Sequence, residues 1–96
     1  MEFKLLYTKS AVKDIKKLDS VAQKRLKKSL ERFITKPFFY CEKLIDSRLG
    51  QYRFRVGDYR IIFDRDVDKI IILRVGHRKE IYNEIDFSVS LLRSPL

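Results

Sequence analysis

Residues 52–63 read Tyr52-Arg53-Phe54-Arg55-Val56-Gly57-Asp58-Tyr59-Arg60-Ile61-Ile62-Phe63, and the rest of the chain is organised around them. Two runs of aromatic and β-branched residues flank Gly57-Asp58, a dipeptide suited to a two-residue hairpin turn. Such a turn sets the register, because facing residue numbers must then sum to a constant. Val56 faces Tyr59, Arg55 faces Arg60, Phe54 faces Ile61, Arg53 faces Ile62 and Tyr52 faces Phe63. One face of the hairpin is apolar in every pair, and the other collects Arg53, Arg55 and Arg60.

Towards the C-terminus, Asp64 to Asp68 form a charged turn, and Lys69 to Val75 a β-branched strand that returns beside the hairpin until Gly76 ends it. A last helical turn is expected from Lys79 to about Asp86, while residues 87–96 form a tail without an assignable pattern. Towards the N-terminus, Phe38 to Gly50 have no clear period and are expected as a loop draped on the core. Before them, Ala22, Leu26, Leu30, Phe33 and Ile34 mark one face of a helix that Pro37 stops. Ser20 with Gln23 has the spacing of a capping box at its start. Ala11, Ile15 and Leu18 line a shorter helix capped by Thr8, with Lys9, Lys13, Lys16 and Lys17 on its other faces. Glu2 to Tyr7 suit a first strand. The expected class is α+β, an N-terminal strand and helical hairpin packed on a small antiparallel sheet, in a single domain over residues 1–96.

Ninety-six residues leave room for one modest core, which excludes a multidomain enzyme. The 22 lysines and arginines against 13 acidic residues leave a net charge of +9, so a polyanion such as nucleic acid is the first partner to consider, with an acidic protein as the alternative. No apolar run exceeds four residues, as in Ile70–Leu73, and the N-terminus mixes charged with apolar residues; neither a membrane span nor a secretory signal is expected, and the expected location is the cytoplasm. The single cysteine, Cys41, has no partner for an intrachain disulfide and no ligand set for zinc, and reads as a reduced, packed thiol.

The basic residues are unevenly distributed: residues 1–48 hold 10 Lys and 3 Arg, residues 49–96 hold 2 Lys and 7 Arg. Guanidinium offers a planar fork of donors matched to two phosphate oxygens, and it stays charged. Directly opposed like charges such as Arg55 and Arg60 cost stability unless an anion lies between them. Asp58, Asp64 or Glu42 could be that anion, or the face could simply be solvated. Lys24, Lys27 and Lys28, with Arg25 and Arg32, lie opposite the apolar face of the second helix, where they serve either solubility or sequence-independent phosphate contact. Beyond the last strand, Val75-Gly76-His77-Arg78-Lys79-Glu80-Ile81-Tyr82 brings the only histidine, an arginine and a tyrosine within six residues. Cleavage of RNA by its own 2′-hydroxyl needs a proton acceptor, a proton donor and cations on the phosphate, and requires neither metal nor cofactor. These residue types can supply all three.

Together, residues 52–60 and 75–82 resemble the RelE/ParE superfamily of prokaryotic toxins, and the likeness runs from Glu2 to about Asn83. In the RelE branch such proteins are ribosome-dependent endoribonucleases that cut messenger RNA in the decoding site; ParE-branch members inhibit DNA gyrase. Both are neutralised by an antitoxin encoded alongside. The resemblance implies that Arg60 and Arg78 stabilise the scissile phosphate, that Tyr82 stacks on or orients a nucleotide, and that Arg53 and Arg55 stand where RelE-type enzymes place basic residues. RelE itself has lysines at those two positions, and arginine effectively cannot give up its proton. His77 is then the candidate proton acceptor, with Glu80, or weak base catalysis on a hydroxyl ordered by arginine, as alternatives. The expected partners are a cognate antitoxin, the ribosome and messenger RNA, with no membrane. A ParE-like gyrase inhibitor and a basic binding module without catalysis are the competing readings.

Overall fold

In the computed structural model, which describes residues 2–45 and 48–81, the chain runs β1 (Lys4–Tyr7), α1 (Lys9–Lys16), α2 (Ser20–Phe33), α3 (Pro37–Tyr40), β2 (Glu42–Lys43), β3 (Tyr52–Val56), β4 (Tyr59–Asp66) and β5 (Lys69–His77). The strands form one sheet in the order β1-β5-β4-β3-β2, antiparallel throughout except that β1 lies parallel to β5. The α+β arrangement expected from the pattern is therefore present; the expected first strand joins the sheet as β1, and β2 is an additional strand.

The hairpin adopts the register its turn dictates, from Val56 opposite Tyr59 to Tyr52 opposite Phe63. Gly57 has φ +59°, and Asp58 is not left-handed, because Val67 is the only such non-glycine residue among those described. A positive φ at the first central position suits the primed turns whose twist matches that of the strands. On the apolar face, Phe33 of α2 stacks on Phe54 at 4.6 Å between ring centroids, Phe54 on Phe63 at 4.3 Å, and Tyr52 on Phe63 at 5.5 Å. Ala22, Leu26, Leu30 and Phe33, spaced along one side of α2, are buried against this face together with Ala11 of α1.

Local chemistry corrects three details of the sequence pattern. The cap of α2 is Asp19, whose carboxylate accepts the Ala22 N–H at 2.8 Å. Asp is as good a cap as Ser, and it frees Gln23 to donate its side-chain amide to the Ile15 carbonyl at 2.8 Å, tying the two helices together. The segment expected as a loop begins with the short helix α3, started by Pro37 in a position where no N–H is needed, and continues into β2. The last strand continues past Gly76 to His77, because Gly76 still pairs with Arg60 and His77 with Tyr59. Part of the expected last helical turn and the whole 87–96 tail lie outside the described residues.

β5 carries a bulge. Ile62 faces Arg74 but Phe63 faces Ile72, so Leu73 is the extra residue. β1 ends at Tyr7, and beyond it Thr8 closes the exposed edge: its N–H donates to the Ile72 carbonyl at 3.0 Å, and its hydroxyl lies 2.9 Å from the Leu73 carbonyl while accepting the Ala11 N–H at 3.1 Å. One residue thus ends a strand, caps a helix and satisfies the bulge. Among the described residues no helix is long and apolar enough to cross a membrane.

Val67, 71% exposed, has φ +57° in the β4–β5 turn, a conformation that a β-branched side chain resists. Val67→Gly is expected to raise stability by about 0.5–1 kcal/mol in urea titrations; a loss of stability would contradict the strain. Cys41 is half-buried, and desolvation raises its thiol above the ordinary cysteine value, with Glu42 adding to the rise against a backbone hydrogen bond that lowers it. Fewer thiolates at a given pH means slower alkylation by iodoacetamide than for an unhindered thiol, a difference that denaturant removes. Equal rates in folded and unfolded protein would refute this.

Candidate functional site

Three arginines from three segments meet on the Gly57-Asp58 turn. Arg60 on β4 is 8% exposed, and its Nη1 donates to the carbonyls of Gly57 at 2.8 Å and Tyr59 at 3.0 Å. The Arg25 guanidinium, reaching over from α2, lies so close to Gly57 that a Cβ there would stand 2.8 Å from Nη2. Only glycine meets both demands at this position, the left-handed φ and the space for a guanidinium. Arg78, just past β5, donates its backbone N–H to the Asp58 carbonyl at 2.7 Å and holds Nε 3.6 Å from the Asp58 carboxylate. Arg25 and Arg78 are exposed, whereas Arg60 mainly braces the turn.

The other sheet arginines go elsewhere. Glu42 of β2 faces Arg53 in the register; its carboxylate lies 3.4 Å from Arg53 Nη2 and pairs with Nε of Arg55. Glu42 is thus the anion that makes the run of like charge tolerable on this face. Arg55 remains 54% exposed in its side chain and stands opposite Arg60, so it borders the turn site. Lys24, Arg25, Lys27 and Lys28 line an open groove along α2 together with Glu31, continuous through Arg25 with the turn.

His77 is at the same end of the sheet but on its other face. It pairs with Tyr59, and residues that face each other across an antiparallel ladder share a side. The Tyr59 and His77 rings meet edge-on at 6.0 Å between centroids, and both line a cleft of about 360 Å³ with Asp14, Lys17, Glu80 and Ile81. His77 is therefore turned away from Arg55 and Arg60, which the strand alternation places on the opposite side. Arg78, one residue beyond the ladder, sits at the turn beside Asp58. The candidate site consists of two adjoining parts at one end of the sheet: a guanidinium cluster at the turn, which Arg25 reaches from the helix side, and a histidine cleft against α1. Tyr82 lies outside the described residues.

The floor of the cleft is set by Asp14, which the sequence pattern did not single out. Its carboxylate accepts from Arg74 Nε at 2.7 Å and Nη2 at 3.1 Å, and from the Val75 N–H at 2.9 Å. The signal was available, because Asp14 lies three residues after Ala11 and one before Ile15, on the apolar side of α1, where an acid needs a buried partner. Lys17 and Tyr59, also in the cleft, read from sequence as a solvated lysine and a core tyrosine. Gly76 is held close to Ile81, since an added Cβ would stand 3.2 Å from the Ile81 Cβ. Ile81, 2% exposed, packs with Ile62 over the arginine-bearing face. Among the described residues no group of three or more His, Cys, Asp or Glu could hold a metal ion.

Residues 5–82 match the family described as ParE toxin of type II toxin-antitoxin system, parDE. The chain is also 37% identical over 84 residues to Toxin RelE3 of Methanocaldococcus jannaschii, an alignment that covers 83% of this chain and 96% of that toxin. The chain belongs to the RelE/ParE toxin family. It is the toxin of a toxin–antitoxin system and is RelE-like. The toxin superimposes on a chain of the RelB–RelE antitoxin–toxin complex from Methanococcus jannaschii with a TM-score of 0.64 at 34% identity, covering 82% of this chain and 96% of that one. It shares its fold with a chain of the RelBE2 toxin–antitoxin complex from Mycobacterium tuberculosis, with a TM-score of 0.73 at 23% identity and coverage of 81% and 100%.

Proposed function

We propose that this toxin is a ribosome-dependent endoribonuclease that cuts messenger RNA by attack of the 2′-hydroxyl on the adjacent phosphate, and that a cognate antitoxin neutralises it. The observation that carries the reading is the meeting of Arg25, Arg60 and Arg78 on one hairpin turn, with Arg55 at its border. In the reaction the 2′-oxygen bonds to phosphorus as the bond to the 5′-oxygen breaks. The hydroxyl proton leaves to an acceptor, the departing oxygen gains one, and negative charge gathers on the non-bridging oxygens. Exposed guanidiniums at the turn hold those oxygens, Arg60 keeps the turn in shape, and His77 with Glu80 supply hydrogen-bonding and proton-transfer groups from the adjoining cleft. Tyr82 is assigned to the nucleotide base.

Shallow cationic surfaces bind phosphate without reading bases, so the ribosome supplies the geometry that free RNA lacks. Lys24, Lys27 and Lys28 extend the same surface along α2. The antitoxin follows from family membership and from the complexes in which the relatives were solved. The test is incubation of the purified toxin with programmed ribosomes and mapping of RNA 5′ ends. New ends on ribosome-bound messages support the reading. Intact messages together with gyrase-linked DNA breaks in intoxicated cells would replace it with gyrase inhibition, and steeply salt-dependent ribosome binding without new ends would leave a binding module only.

A further inference from the structure

His77 is the only histidine of the chain, and the backbone that follows it determines what its ring can offer. After β5 the chain turns back: the Glu80 N–H donates to the His77 carbonyl at 3.0 Å, and the Lys79 N–H donates to Nδ1 of the His77 ring at 3.2 Å. A backbone N–H can only donate, so the nitrogen that receives it presents a lone pair and carries no proton. In neutral imidazole the one ring proton then sits on Nε2. Tyr59 meets the ring edge-on from β4, which restrains its rotation.

We infer that the turn over residues 77–80 holds neutral His77 as the Nε2–H tautomer, so that the ring presents a hydrogen-bond donor, and not a proton acceptor, to the cleft of Lys17, Tyr59 and Glu80. The tautomer stands on the turn geometry alone; its chemical consequence rests on the nuclease reading. A fixed donor stabilises charge that builds up on a phosphoryl oxygen, and neutral imidazole is able to do this. The acceptor of the 2′-hydroxyl proton is then a different group. Glu80 is the carboxylate in this cleft that suits the task, because Asp14 is committed to Arg74 and Val75.

The tautomer is directly visible in a long-range proton–nitrogen correlation spectrum of the 15N-labelled toxin, in which a single imidazole leaves no ambiguity of assignment. In mildly alkaline buffer, Nδ1 is expected in the unprotonated region and Nε2 in the protonated one, without averaging. A protonated Nδ1, or two averaged nitrogens, overturns the inference. The chemical consequence is read from a pair of variants in the ribosome assay. Gln places an amide N–H near Nε2, and Asn reaches only as far as Nδ1, so His77→Gln is expected to cleave at least tenfold faster than His77→Asn. Equal loss in both, with the wild-type ring spectrum as expected, removes the donor role. If the wild-type toxin cleaves nothing, the nuclease reading fails while the ring spectrum still decides the tautomer.

Discussion

Arg78→Ala is expected to lower ribosome-dependent cleavage by about 10²–10³-fold, the usual cost of losing one group aimed at developing charge, while leaving the urea midpoint unchanged. The two halves of this result have separate causes. Arg78 is 53% exposed in its side chain, and its ion pair with Asp58, itself 64% exposed, is 3.6 Å long. Such a pair contributes well under about 1 kcal/mol to folding. The backbone N–H bond from Arg78 to the Asp58 carbonyl survives the substitution, so the segment after β5 keeps its place. The guanidinium, by contrast, is one of the exposed groups at the turn able to meet a phosphate with two parallel donors. Arg78→Lys keeps the charge but loses the fork, and should fall between the alanine variant and the wild type. Cleavage by Arg78→Ala at the wild-type rate would remove the turn cluster from the chemistry. The same experiment on Arg60 would not be as clean, because Arg60 also ties Gly57 and Tyr59 together.

Asp14→Ala is expected to have the opposite signature, a large loss of stability. The Asp14 side chain is 10% exposed and accepts three hydrogen bonds, two from Arg74 and one from the Val75 N–H. Removing one partner of a largely buried pair leaves the other uncompensated and costs about 3–5 kcal/mol. At the lower end this lowers Tm by roughly 12–24 °C for a domain of this size. The location explains the sensitivity. β1 pairs with β5 only as far as Ile72, so the rest of β5 is an edge, closed by Thr8 at the N-cap of α1 and by Asp14 in its last turn. Asp14→Asn keeps an acceptor for Val75 while losing the charge, and is expected to be intermediate. A change below about 1 kcal/mol for the alanine variant would show that β5 does not depend on this clasp.

The hairpin register, the opposition of Arg55 and Arg60, the apolar pairs beneath them, the two main helices and the Thr8 cap were all legible in the chain, because each follows from spacing within a dozen residues. So was family membership, through residues 52–60 and 75–82. Two expectations at the local level failed for a common reason. Ser20 and Asp19 are equivalent caps in propensity, and the packing of Gln23 against Ile15 chose between them. Likewise β2 is only two residues long and has no period of its own; it exists because β3 offers an edge to pair with.

What the amino-acid order could not convey is which side of the sheet each functional group occupies relative to the others. Residues 75–82 are compact along the chain, but strand alternation carries His77 with Tyr59 to the helix side, away from Arg60, whereas Arg78 sits at the turn beside Asp58. The capture of Arg53 and Arg55 by Glu42, the arrival of Arg25 at Gly57 and the clasp of Asp14 on Arg74 and Val75 join residues 11 to 61 positions apart. Charge and periodicity constrain neighbours along the chain strongly and such distant pairs hardly at all. The two main helices and the hairpin strands were set by local pattern, and the partition of the candidate site into a guanidinium cluster and a histidine cleft arose only when the sheet was assembled.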